Sequence, residues 1–261
     1  MDLGISGKRA LVLAASRGLG LGIANALAAE GVHVLICGRT EEKLKANVEA
    51  IKAAGGKADY VVADIADAHF VDQMLHAVHH TLGGIDILVN NTGGPTPGTV
   101  EDMDAEKLYN FFQSMVVRVI TLTNALVPLM KTQGFGRILT VASSGVFEPI
   151  PNLALSNTLR GALVGWNKTL SSELASYGVT ANMLLPGRIH TDRIDELDGA
   201  NAKRTGRSLD EVRAASVKSI PAQRLGRVEE FAAAGAFLCS VPASYITGTM
   251  LRVDGGAAHS I

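Results

Sequence analysis

Residues 154–175, ALSNTLRGALVGWNKTLSSELA, set Ser156 four positions before Arg160 in a stretch of helical period. Residues i and i+4 share one helix face, so a hydroxyl and a guanidinium would point into the same space. A guanidinium keeps its proton in proteins. At Arg160 it can stabilise a developing oxyanion and bind the hydroxyls of a cofactor ribose, but it cannot relay a proton as a neutral amine could. A phenol titrates at about 10, and an aliphatic hydroxyl is far less acidic, so Ser156 is a poor general acid.

A second chemical feature is the run LVLAASRGLGLG near the N-terminus. Gly18 and Gly20 allow close approach of backbone to backbone and to ligand. The N-terminus of the helix that follows offers free N–H groups and partial positive charge, which suits a pyrophosphate. The loop residues Ser16, Arg17, Gly18, Leu19 and Gly20 are therefore the expected dinucleotide phosphate site. The second apolar run, VHVLIC, is followed by Gly38-Arg39 with no carboxylate at its end. An acid there would hold the ribose 2′-hydroxyl of NAD, and a base the 2′-phosphate of NADP. Arg17 and Arg39 thus point to NADP(H).

The pair His76 and His80 in HAVHH has helical metal-ligand spacing, but no third ligand accompanies it; no metal is expected. Cys37 and Cys239 lie in the apolar contexts VHVLICG and GAFLCSV and read as buried small side chains.

These residues need elements to position them. Short, nearly continuous apolar runs at 9–14, 33–38, 58–64, 85–91, 136–143, 179–187 and 249–256 read as strands buried on both faces. Amphipathic stretches lie between them, such as 19–31, where Ile23 and Leu27 mark a face and Gly31 a stop. That alternation predicts an α/β fold: a single doubly wound domain over 1–261, with a seven-stranded parallel sheet and helices on both faces. Residues 191–220 are charged, helix-prone and follow a strand end, where ligands bind in such sheets; they read as a substrate lid.

With 24 basic and 25 acidic residues the chain carries net charge −1, which speaks against nucleic acid as a partner. The N-terminus lacks a signal-peptide pattern, and no apolar run reads as long enough to cross a bilayer. A cytoplasmic protein with a small-molecule substrate is expected.

Together these segments resemble the short-chain dehydrogenase/reductase family, and within it the 3-oxoacyl-carrier-protein-reductase-like branch in divergent form. AASRGLG (14–20) is similar to the family's phosphate loop, with Leu13-Ala14 at its Thr-Gly. Asp64, followed by Ile65, matches the residue at the adenine. NNTGG (90–94) matches the motif whose Asn91 and Gly93 line the cofactor. PGRIHT (186–191) matches the turn that holds the nicotinamide amide, with Pro186, Gly187, Ile189 and Thr191 as its contacts.

The resemblance also implies a catalytic set of Asn, Ser, Tyr and Lys. Ser143 matches the Ser. The Tyr position is Ser156, the Lys position Arg160 and the Asn position Met115. Of the four tyrosines (Tyr60, Tyr109, Tyr177 and Tyr245), only Tyr109 is conceivable as a substitute. The expected chemistry is reduction of a carbonyl or activated alkene, with Ser143 and Arg160 stabilising the oxyanion and water or His190 supplying the proton. Arg188, His190 and Arg193 are the expected substrate contacts, and the cluster of guanidiniums hints at an anionic substrate. The alternative partners for Arg188 and Arg193 are Asp192 and Asp195. Resemblance further implies a homo-oligomer, a tetramer, pairing through the helix at about 154–176 and the C-terminal strand. A second reading is an NADP(H)-binding protein without turnover, a sensor or scaffold; a third is cofactor-independent elimination or isomerisation.

Overall fold

In the computed structural model, which describes residues 1–260, strands and helices alternate from the first strand onward. The order is β1 (Arg9–Val12), α1 (Gly18–Ala29), β2 (His33–Gly38), α2 (Glu41–Ala53), β3 (Lys57–Val62), α3 (Phe70–Ala77) and β4 (Ile87–Asn90). There follow α4 (Ala105–Phe112), α5 (Arg118–Thr132), β5 (Gly136–Val141), α6 (Ala154–Leu174) and β6 (Val179–Pro186). The chain then forms α7 (Asp192–Thr205), α8 (Leu209–Lys218), α9 (Val228–Leu238) and β7 (Met250–Val253). The strands form one seven-stranded sheet in the order β3-β2-β1-β4-β5-β6-β7, and every pairing is parallel. The strand order reverses between β1 and β4, which opens a crevice beyond their carboxyl ends.

The apolar runs are continuous because both faces of the sheet are covered. Val12, Val34 and Ile36 face one core with Ile23 and Leu27 of α1 and Phe231 of α9. Their strand neighbours Leu11, Leu35 and Cys37 face the other, with Met74 of α3 and Leu122 and Leu126 of α5. This is the two-residue side-chain period of a strand filled on both sides. A third cluster packs Leu155, Leu159 and Leu163 of α6 against Met183 and Leu185 of β6. It fixes the rotation of α6 and so the direction of the polar residues between those leucines.

Two departures from sequence expectation concern α4 and α5. The helix Ala105–Thr132 is in fact long and apolar enough to span a bilayer by composition. Its apolar residues Val119, Leu122, Leu126 and Met130 are buried in the protein core instead. A π-turn at Gln113–Val117 also interrupts it. The extra residue per turn shifts the register and buries Ser114, Met115 and Val116. Among the described residues no group of three or more metal-ligand side chains is gathered to hold an ion. His76 and His80 stack, their ring centroids 4.1 Å apart.

Phe231 has no exposed surface and joins α9 to the β1–β2 face of the sheet. Phe231→Ala should lower stability by about 3–5 kcal/mol, the range for emptying a buried aromatic site. Guanidinium unfolding should show a lower midpoint with an unchanged m value; a midpoint within error of the parent would contradict the packing described.

Candidate active site

The carboxyl ends of the strands deliver their loops to one cleft of about 1280 Å³. After β1, Ala14 takes φ +46°, a left-handed conformation rarely adopted by a side-chain-bearing residue. Asn91, just after β4, donates through Nδ2 to the Leu13 and Ala14 carbonyls at 3.3 and 3.2 Å. The β4 loop thereby pins the β1 loop at the switch point. Gly18 sits at φ +61°. At Gly20, a Cβ would lie 2.7 Å from both the Ala14 oxygen and Asn91 Nδ2, so only glycine permits this closure. The first turn of α1 carries no acid, and no side chain caps it. Its N–H groups are left for a ligand. A pyrophosphate fits this cradle.

Ser16, Arg17, Gly18 and Leu19 line the cleft, and Gly20 lies buried behind them. Arg39 and Asp64 stand beside each other, 3.9 Å apart, both largely exposed. Ile65, Asn91 and Gly93 continue the wall, as do Pro186 at the end of β6 and Gly187, Ile189 and Thr191 after it. These predicted residues are therefore brought together on one surface.

Arg17 is engaged in a way the sequence did not announce. Its Nη1 donates to Asp192 at 2.7 Å and its Nη2 to Glu196 at 3.3 Å, both on α7. The hydrogen bond from Arg17 holds the Asp192 carboxyl below its usual range. From the same turn of α7, Arg193 Nη2 donates to the Pro95 carbonyl at 2.6 Å. Helix α7 is thus tied to the loops after both β1 and β4. Buried Asp198 anchors its middle by pairing with Arg188. The sequence-based alternative of Asp192 and Asp195 as partners for Arg188 and Arg193 is corrected: Asp192 pairs with Arg17 and Asp195 with Arg213. Spacing along the chain does not reveal these partners: Arg17 lies in the loop after β1 and Arg213 on the neighbouring helix α8.

Ser143 follows β5 and its Oγ accepts from Gly145 N at 3.1 Å, which leaves the O–H proton free to donate. Ser156 and Arg160 are both buried on α6, and both line the cleft with Ser143. Arg160 Nη1 donates to the Val141 carbonyl at 3.0 Å. Burial, and then the charge of Arg193, push the Arg160 guanidinium down to about 10, so it remains charged at neutral pH. Met115 is buried on the same wall, where it offers no hydrogen bond. Ser114, which sequence reasoning missed, also reaches the cleft through the π-turn; its hydroxyl donates to the Asn110 carbonyl at 3.2 Å.

His190 does not belong to this set. It is exposed, its backbone N–H donates to Gly226 O, and it is not on the cleft wall. The short bridge between Ile189 and Gly226 lies directly before it, and the His190 side chain, expected at the substrate, stands exposed outside the cleft lining. None of the four tyrosines lines the cleft. Tyr109 is 64% exposed, which removes the one phenol considered as a substitute. Burial pushes the Cys37 thiol up to about 12, so although it borders the cleft it is no thiolate nucleophile.

A family model described as Enoyl-(Acyl carrier protein) reductase matches residues 13–258. The 3-oxoacyl-[acyl-carrier-protein] reductase FabG of Haemophilus influenzae is 33% identical over 253 residues, covering 97% of this chain and 98% of the relative. The NADPH-dependent reductase BacG of Bacillus subtilis is 32% identical over 259 residues, 98% of this chain and 100% of the relative. The crystal structure of L-sorbose reductase from Gluconobacter frateurii, complexed with NADPH and L-sorbose, superposes with a TM-score of 0.94 at 31% identity, over 100% of both chains. With its strand order, its phosphate cradle and these likenesses along nearly its whole length, the chain belongs to the short-chain dehydrogenase/reductase family, in the branch similar to FabG.

Proposed function

We propose that the protein is an NADP(H)-dependent short-chain reductase that reduces the carbonyl or activated alkene of a small molecule without an ionisable hydroxyl at position 156. The observation that supports this most is the charged, buried Arg160 on the same cleft wall as Ser143. A site relieved of chemistry has no need to hold a buried cation, so this favours turnover over a sensor or scaffold. The names of BacG and of the sorbose reductase complex support NADPH as the cofactor.

Bound NADPH would supply the hydride. The Ser143 hydroxyl, oriented by Gly145 N–H, donates to the carbonyl oxygen. Arg160 stabilises the negative charge that develops there. Ser156 fills space and adds no acid. Water delivers the proton, because His190 and every tyrosine lie off the cleft wall. Residues 191–220, carrying α7 and α8, act as the lid over a single domain, with Arg17 and Arg193 as its ties to the cleft. The protein acts in the cytoplasm as a homotetramer. Exposed Gly161 and Gly165 on α6, with open space where a Cβ would stand, leave room for close helix contact between copies.

Single-turnover mixing of the NADPH-loaded protein with a carbonyl panel tests the roles. Ser156→Ala should slow hydride transfer at most about tenfold, or ~1.4 kcal/mol. Ser143→Ala and Arg160→Ala should each cost on the order of a hundredfold, as for loss of an oxyanion donor. Alcohol oxidation should be much slower than reduction, since no base is poised at neutral pH. Abolition of the step by Ser156→Ala, with Arg160→Ala unaffected, would reverse the assignment; no oxidation of NADPH by any carbonyl would favour the non-catalytic protein.

Cofactor choice is checked by fluorescence titration of NADPH and NADH. The parent should prefer NADPH, and Arg39→Asp should weaken NADPH and spare NADH. Equal affinities in the parent would remove the basis for NADP(H).

Light scattering at micromolar concentration should report particles several times heavier than the 27.3 kDa chain. A mass of one chain would refute assembly.

A further inference from the structure

Two arginines are buried here without a carboxylate partner, and the contrast between them is informative. Arg137 donates through Nε to Ser240 O at 3.0 Å, and through Nη1 to Gly136 O at 2.8 Å and Gly178 O at 3.1 Å. Its guanidinium also lies over the Phe135 ring, 4.2 Å from the centroid. Its polar capacity is used within the fold. Arg160 is 8% exposed and makes a single bond, to Val141 O. The rest of its five-donor fork is left toward the cleft it lines.

The other cleft arginines are unlike it. Arg188 is charge-paired with Asp198, although its Nε is buried without a hydrogen-bond partner, and Arg17 is paired with Asp192 and Glu196. Arg193 has a carbonyl partner in Pro95 and only a long 3.4 Å contact with Glu196. The charge that acts on Arg160 is that of Arg193, and it is repulsive. An unpaired buried ion is costly, and the like charge of Arg193 beside it adds to that cost. A cofactor ribose offers hydroxyl acceptors but no counter-charge, so what the site lacks is an anion that arrives with the substrate.

We propose that the substrate is a 2-oxo acid whose carboxylate lies between Arg160 and Arg193. This rests on the reductase reading above and deepens it. In a 2-oxo acid the keto oxygen and one carboxylate oxygen lie side by side, and the planar guanidinium fork matches such a pair of acceptors. Arg160 can hold both, while Arg193 takes the second carboxylate oxygen from the lid side. The reaction balances as hydride from NADPH to C2, the C=O π pair to oxygen, and one proton from water to that oxygen. The products are the 2-hydroxy acid, NADP⁺ and hydroxide.

Two measurements test this. In the first, 2-oxohexanoate and its methyl ester are compared with NADPH. The acid should be favoured at least about tenfold in kcat/KM, and Arg193→Gln, a partly exposed position, should lower the acid's value toward the ester's. Equal values for acid and ester, or an ester preference, overturn the proposal while leaving the reductase intact. In the second, oxamate, an unreactive 2-oxo acid mimic, is titrated by calorimetry into the NADPH-loaded protein. Binding should be seen with the parent and be weakened at least fivefold by Arg193→Gln. Oxamate binding without turnover of any carbonyl would keep the carboxylate site and remove the reductase; absence of oxamate binding together with no acid preference removes the site.

Discussion

Because every strand of the sheet runs the same way, every loop that follows a strand leaves on one side of the molecule. That constraint organises the rest. The phosphate loop follows β1, Arg39 follows β2, Asp64 follows β3, Asn91 follows β4, Ser143 follows β5 and Gly187 follows β6. Residues far apart in the chain become one surface without any long loop reaching across the fold. The switch point between β1 and β4 separates two of these loops, and the Asn91 amide holds them at fixed spacing. Ala14 keeps a left-handed conformation within that clamp, at a cost of about 1 kcal/mol that the surrounding bonds over-determine.

The chemistry depends on where a charge is kept. Helix α6 is set by Leu155, Leu159 and Leu163, and it carries Ser156 and Arg160 on the adjacent face. A guanidinium there is held out of water by the protein and tethered by one carbonyl. Its low-dielectric surroundings make it a strong partner for any negative charge in the cleft and a poor proton donor. The loss of a phenol at position 156 and the presence of a permanent cation at position 160 form one consistent arrangement. In the proposed reductase such a site stabilises an oxyanion and leaves proton delivery to solvent.

Much of the architecture was legible from residue types. Continuous apolar runs located all seven strands to within a few residues; in the inner strands burial on both faces leaves no room for polar alternation, while the edge strands β3 and β7 are only partly buried. The phosphate loop was legible because Gly18 and Gly20 are required by backbone approach rather than by side-chain chemistry. The pairings were not. Arg17 and Asp192 are 175 positions apart, and nothing local marks them as partners. The π-turn that brings Ser114 to the cleft has no glycine or proline to announce it, since SMVV reads as ordinary helix. The exposure of His190 was not legible either, because proximity along the chain does not reveal side-chain direction next to the bridge at Ile189.

The ties between α7 and the β1 loop differ in kind from the packing beneath them. Arg17, Asp192 and Glu196 each keep at least half of their side-chain surface in water. Such pairs are worth about 1 kcal/mol or less, and mobile ions weaken them as the screening length falls from about 10 Å at 0.1 M salt to about 3 Å at 1 M. The apolar layers on either face of the sheet have no comparable dependence. Ionic strength is therefore a handle on the mouth of the cleft: concentrated salt loosens the ties at Arg17 and leaves the packed sheet and its helices as they were.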